Sequence, residues 1–185
     1  MNGSPQDSPL RLHPIGVVRS EIKTPMLTAS DEGLTLTERL DKIRRSVRKM
    51  RSAEAQLVID PAMGEEILQG LEGFSHILVL YWPHLLPEER RRLRQVHPMG
   101  RSDLPAQGIF ATCSPARPNP ILVSAVPLLE RRANVLRVRG LDAVDGSPVL
   151  DIKPYVHYSM ALEDTQVPEW MDLIHRELEE DTEVP

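Results

Sequence analysis

Two segments concentrate polar side chains between residues that stiffen the backbone. Ser114-Pro115-Ala116-Arg117-Pro118-Asn119-Pro120 holds three prolines in seven residues, two of them flanking Asn119. Proline fixes its own φ and restricts the residue before it, so the loop has little freedom left to lose. Such a loop suits the capture of a polar or anionic ligand by Arg117 and Asn119. The same residues could equally be a proline-capped turn with an exposed Arg. The second segment, residues 140–155, reads GLDAVDGSPVLDIKPY. Asp145-Gly146 signals a tight turn between apolar runs. Asp151 and Lys153 stand two apart and would share one face of a strand. They are either a working pair facing a cleft or a pair on a solvent face, where it contributes little.

Other chemistries lack their motifs. There is no glycine-rich phosphate loop, no Rossmann fingerprint and no nucleophile elbow. The six histidines, His13, His76, His84, His97, His157 and His175, form no close metal-binding pair, so no metal is expected. Cys113 ends an apolar stretch, where a thiol is usually inert. As the one cysteine it makes no internal disulfide, which points to a reducing, cytoplasmic home.

The elements that must carry these residues read as short strands. Leu12 to Arg19, Gln56 to Ile59, Gly108 to Thr112, Ile121 to Leu128, Val135 to Arg139 and Val149 to Lys153 are strand candidates. Ser75 to Trp82 is a continuous apolar run, as in a strand buried on both faces. Helical spacing of Leu36, Leu40, Ile43 and Val47 predicts a helix over 31–51, and a one-face helix is expected over 62–71. Trp170, Leu173, Ile174 and Leu178 predict an acidic helix over 168–180. Five to seven short strands separated by Pro and Gly turns suggest a closed or nearly closed antiparallel sheet. The expected fold is a mainly β, small antiparallel β-barrel with helical insertions and a C-terminal helix. Residues 1–11 read as a disordered lead-in, 12–160 as the barrel domain and 161–185 as an acidic tail.

Composition agrees with a folded domain: 185 residues, 41% hydrophobic and 26% charged. Aromatics supply only 4%, so Val, Ile and Leu must fill the core. No apolar run approaches the ~20 residues of a membrane span, and no signal peptide is visible. The formal charge of −5 is uneven, because residues 163–185 carry nine acids and one base, leaving +3 on the rest. Arginines cluster at Arg44, Arg45, Arg48 and Arg51, beside Lys49, and again at Arg90, Arg91, Arg92 and Arg94. A basic body fits an anionic partner such as RNA, and solvated helix faces would read the same way.

GIFATCSPARPNPI at 108–121 and GLDAVDGSPVLDIKPY at 140–155 resemble the TsaA-like (TrmO) family of S-adenosylmethionine-dependent tRNA methyltransferases. Supporting stretches are HPIGVVRS at 13–20, LEGFSHILVLYWPH at 71–84 and LRVRG at 136–140. The resemblance implies a small β-barrel that binds S-adenosyl-L-methionine, a homodimer with the cofactor near the subunit interface, and tRNA as partner. The activity it implies is methylation of N6 of N6-threonylcarbamoyladenosine beside the anticodon. It puts His84, Arg117, Asn119, Asp142, Asp145, Gly146, Ser147 and Pro148 near the cofactor, with Cys113 where the family commonly has Arg. Asp151, Lys153 and Tyr155 would line or support the same cleft. Ala116, Leu122 and Leu85 also depart from the family's usual residues.

On that basis the expected mechanism is in-line attack of a substrate nitrogen on the methyl carbon. Backbone at Asp145 to Pro148 would hold the adenosyl part, Asp142 or Asp145 would accept from ribose hydroxyls, and Arg117 would meet an anionic group. Asp151 or Tyr155 would serve as catalytic base. The arginine clusters would meet RNA phosphates. Two alternatives stay open: a methyltransferase for another acceptor, such as a small molecule, and a non-catalytic S-adenosylmethionine-binding module.

Overall fold

Apolar residues at every second position give a strand one face that must leave water, and here that pattern closes a cylinder. The computed structural model describes residues 10–25 and 36–179. In chain order its elements are β1 (Gly16–Ser20), α1 (Leu36–Ser52), β2 (Glu54–Ile59), β3 (His76–Tyr81), β4 (Gln95–Val96) and β5 (Gln107–Gly108). There follow β6 (Leu122–Arg132), β7 (Val135–Arg139), β8 (Pro148–Pro154), α2 (His157–Met160) and α3 (Glu169–Glu179). Six strands form a closed antiparallel barrel in the order β1-β2-β7-β6-β3-β8, while β4 and β5 pair separately.

Val18, Leu57, Ile77, Val79, Leu136, Val138 and Val149 point inward and are fully buried. A core of aliphatic side chains follows from the scarcity of aromatics. The barrel closes where β1 meets β8, a seam of two register pairs, Gly16↔Val149 and Val17↔Pro148. Gly16 is required there: a Cβ would lie 2.4 Å from the Val58 carbonyl oxygen.

Four sequence expectations change. Residues 61–73 form three short 3-10 turns instead of one helix, because Gly64 and Gly70 take φ of 78° and 86° and break the α path. β3 is buried on one face only, Leu78 and Leu80 alternating outward between buried Ile77, Val79 and Tyr81. Past Gly108 the GIFAT stretch turns into a 3-10 turn, Ile109–Ala111. The first strand, expected from Leu12, begins at Gly16, with 12–15 in coil. The N-terminal lead-in lies outside the described residues up to residue 9, and Leu10 and Arg11 are exposed coil. The tail's last residues, 180–185, and residues 31–35, the expected start of the first helix, also lie outside them.

A second, smaller core forms beside the barrel. Ile43 of α1 and Ile174 of α3 are buried at 2% and 7% exposure, with the two helices in contact. Arg101 is 2% exposed, with its guanidinium bonded to Asp103 at 2.6 Å and to the Glu177 carboxylate. The Arg44 side chain donates to the Glu177 carbonyl at 2.7 Å. The acidic helix is therefore pinned to the body through its inner side. Arg45, Arg48, Lys49 and Arg51 of α1 stay exposed.

Candidate active site at one mouth of the barrel

The strand registers define two ends. Ser20↔Ala55, Glu54↔Arg139, Tyr81↔Leu122 and Tyr81↔Val149 pair at the same rim. The connections 82–121 and 140–147, and the entry from α1 into β2, all gather at that mouth.

There the sequence Val144 to Ser147 makes a tight turn, closed by the Ser147 N–H on the Val144 carbonyl at 3.0 Å. Gly146 takes φ 83° in it, a left-handed conformation that glycine alone adopts without penalty. The turn is zipped onto β1 by Gly146 N–H to Val18 O and Val18 N–H to Ser147 O, both 2.9 Å. Asp145 clamps the same edge. Its carboxylate accepts from the Ser20 N–H at 3.0 Å and pairs with Lys23 Nζ at 2.9 Å. The Lys23 hydrogen bond, then the Ser20 N–H, holds this carboxyl below the usual aspartate range.

His84 faces this turn from the β3 side. Its Nδ1 shares a hydrogen bond of 3.3 Å with Ser147 Oγ, and Ser147 is 1% exposed. A Cβ on Gly146 would lie 3.5 Å from His84 Nε2, ordinary van der Waals contact, so the imidazole lies against the turn. Trp82 N–H donates to the Pro148 carbonyl at 3.0 Å, which fixes the strand end before His84. Tyr81, 4% exposed, donates its hydroxyl to the Asp142 carbonyl and meets Ser124 Oγ at 3.3 Å. Burial pushes its phenol up to about 12, so it stays a neutral donor. Asp142 is exposed as a residue, yet the protein around its carboxyl withdraws water from it and raises it above the usual aspartate range.

The proline loop lies at the same mouth, leading into Leu122 opposite Tyr81. Arg117 bends back on it: Nε donates to the Ser114 carbonyl at 2.9 Å and Nη2 to that of Thr112. Two of three guanidinium nitrogens thus brace the loop. Pro120 is buried, while Asn119 and Cys113 are exposed.

The structure thus brings together His84, Asp142, Asp145, Gly146, Ser147 and Pro148, with Cys113, Arg117 and Asn119 on the adjoining loop. It does not bring Asp151, Lys153 or Tyr155 to them within one chain. Asp151 and Lys153 pair with each other at 2.8 Å, their side chains 45% and 55% exposed. They are registered with Leu80 and Leu78 and share the outer face. Tyr155 sits at the far end, its N–H donating to the His76 carbonyl at 3.0 Å. At ~3.3 Å per strand residue it is roughly 23 Å along β8 from Pro148. Sequence reasoning missed Tyr81, Lys23 and the stacking of Arg91 on Trp82 at 5.0 Å. Tyr81 carried one usable signal: a phenol in an otherwise aliphatic inward row needs a polar partner.

A family model, tRNA-methyltransferase O N-terminal domain, matches residues 36–160. A probable S-adenosyl-L-methionine-binding protein of Methanothermobacter thermautotrophicus is 45% identical over 149 residues, spanning 80% of this chain and 92% of that protein. The tRNA (adenine(37)-N6)-methyltransferase of Escherichia coli is 34% identical over 162 residues, 85% of this chain and 62% of the enzyme. A solved structure, the crystal structure of TrmO, superposes with a TM-score of 0.63 at 31% identity, covering 86% of this chain and 63% of that one. The chain thus spans nearly all of the archaeal relative and about three fifths of the other two.

Proposed function

This chain belongs to the tRNA-methyltransferase O N-terminal domain family, and from that premise we propose that it methylates N6 of N6-threonylcarbamoyladenosine beside a tRNA anticodon, with S-adenosyl-L-methionine as donor. The observation that carries this reading is the meeting of His84 with the Gly146-Ser147 turn at a mouth also rimmed by Arg117 and Asp142. The donor set suits a nucleoside with a charged amino-acid end. The His84 imidazole, lying against the Gly146-Ser147 turn, offers a flat ring and ring nitrogens to a base, and Arg117 brings a fixed cation for a carboxylate. S-adenosyl-L-methionine held there would supply a methyl carbon on positively charged sulfur, with a neutral thioether as the leaving group.

The chain's own work is alignment and proton transfer. The turn at Val144 to Ser147 and the His84 ring hold the donor, while the mouth admits the acceptor nitrogen from solvent. The N–H of that nitrogen, flattened by its adjacent carbonyl, must lose its proton as the N–C bond forms. Asp142 takes it: it stands at the same mouth, its backbone carbonyl held by the Tyr81 hydroxyl, and folding makes its carboxyl more basic than a free aspartate. Asp145 keeps the turn in place. Asp151 and Tyr155 lie outside a single chain's mouth, Asp151 on the outer face where a second subunit would dock.

That face supports a homodimer. Leu78, Leu80, Val123 and Ala125 form an outward apolar patch across β3 and β6, Val123 being 58% exposed, with Asp151 and Lys153 beside it. A lone cysteine and a tRNA substrate fit a cytoplasmic enzyme. No helix among the described residues is long and apolar enough to cross a membrane.

Calorimetric titration with S-adenosyl-L-methionine, paired with methyl transfer to tRNA carrying the modified adenosine, tests the reading. Micromolar binding lost in His84→Ala, with transfer to that tRNA, is expected. Binding with turnover independent of RNA would instead establish a small-molecule acceptor, and binding without any transfer a binding module.

A further inference from the structure

Beside the mouth an aromatic side chain stands in solvent on a rigid base. Phe110 is 79% exposed in a chain with only two phenylalanines. A singly exposed apolar residue is ordinary, but this one is held in place on a turn bonded to an arginine-rich stretch. Its 3-10 turn is anchored by Ile109, 5% exposed, whose N–H donates to the Arg94 carbonyl at 2.9 Å. On the near side the turn is tied to the β4–β5 pair, Gln95↔Gly108 and Val96↔Gln107. On the far side the Arg117 guanidinium grips the Thr112 carbonyl, and Thr112 Oγ1 returns to the Ile109 carbonyl at 3.0 Å. Phe110 therefore has little backbone entropy to lose on meeting a ligand.

The cations arrive through the same contact. Arg90, Arg92 and Arg94 are exposed on the stretch that ends at Arg94, one hydrogen bond from the Phe110 turn. Arg91, between them, lies over the Trp82 ring at 5.0 Å and ties the stretch to the strand end two residues before His84. An exposed flat apolar ring on a turn hydrogen-bonded to a stretch with three exposed arginines matches unpaired RNA, where bases stack on aromatics and phosphates meet guanidinium groups. A protein groove would not need three neighbouring cations, and a duplex would hide the base faces that Phe110 could reach.

We infer that Phe110, with Arg90, Arg92 and Arg94, is a stacking platform for an unpaired base next to the nucleotide being methylated. This rests on the tRNA reading above and adds the surface that would recognise the loop. The test is fluorescence anisotropy of a labelled anticodon stem–loop RNA with wild type, Phe110→Ala and Phe110→Trp. A fully paired RNA duplex and S-adenosyl-L-methionine calorimetry serve as controls. Phe110→Ala should bind the stem–loop about tenfold more weakly while Phe110→Trp keeps wild-type affinity. Duplex and cofactor binding should be unchanged in both. Equal stem–loop affinity for Phe110→Ala and wild type overturns the platform and leaves the tRNA reading standing. A change in the molar mass of Phe110→Ala by light scattering also overturns it, since the ring would then be a subunit contact. Failure of wild type itself to bind the stem–loop removes the tRNA reading together with the platform.

Discussion

Single residues at the mouth carry opposite electrostatic burdens. Asp142 is more basic than a free aspartate because water is withdrawn from it, while Asp145 is less so because Lys23 and the Ser20 N–H stabilise its charge. A carboxyl raised by folding leaves the native state holding the extra proton, so its penalty appears as pH rises through the ordinary aspartate range and persists at neutrality. Asp142→Asn should accordingly raise the Tm at neutral pH, with the gain vanishing in acid, and should cut methyl transfer. A thermal melt series in pH alongside a turnover assay reads both, and an Asn variant with full turnover would remove Asp142 as proton acceptor. Asp145 has the reverse sign: its contribution is present above the ordinary aspartate pKa and disappears as pH falls through its lowered one. Tyr81→Phe should cost about 1 kcal/mol by losing the bond to the Asp142 carbonyl, seen as a Tm lower by a few degrees.

At the scale of elements, much of the barrel could be read from alternation alone. β7 falls where the sequence places it, and β2, β6 and β8 extend the expected strands by one to four residues at an end. What period two cannot give is which face is inside. That is why Ser75 to Trp82 reads as doubly buried and why Asp151 and Lys153 could have faced a cleft, until the register with Leu80 and Leu78 puts them outside. The misread helix over 62–71 has a different cause, since apolar spacing says nothing of the positive φ at Gly64 and Gly70. Of the site, the polar turn and the proline loop were legible because their residue types are unusual. Tyr81 and Lys23 were not, because their partners lie over 60 and 120 residues away in the chain. The pinning of α3 gives a prediction at this scale. Glu177→Ala leaves the Arg101 guanidinium half-paired in a buried place, and should cost about 2 kcal/mol by chemical denaturation, the exposed fifth of the Glu177 side chain limiting the loss.

For the whole molecule, both arginine stretches lie on segments that lead to the mouth, α1 into β2 and the 82–121 connection, and the acidic helix docks without covering Arg45, Arg48, Lys49 and Arg51. Binding to tRNA should therefore weaken steeply with salt, the slope reporting how many phosphates are neutralised. Removing Arg90, Arg92 and Arg94 together should flatten that slope, whereas a flat slope in wild type would make both stretches solvated faces only. The seam between β1 and β8 has a consequence in time. Gly16 and Val17 find their partners at Val149 and Pro148, so a chain leaving the ribosome cannot close the cylinder until some 150 residues have emerged. Because Ser20 and Asp145 meet across that same seam, the Val144–Ser147 turn is fastened by one of the latest pairings of the barrel, with only the docking of α3 and the end of β8 left to follow. Until then the protein has strands but no working mouth.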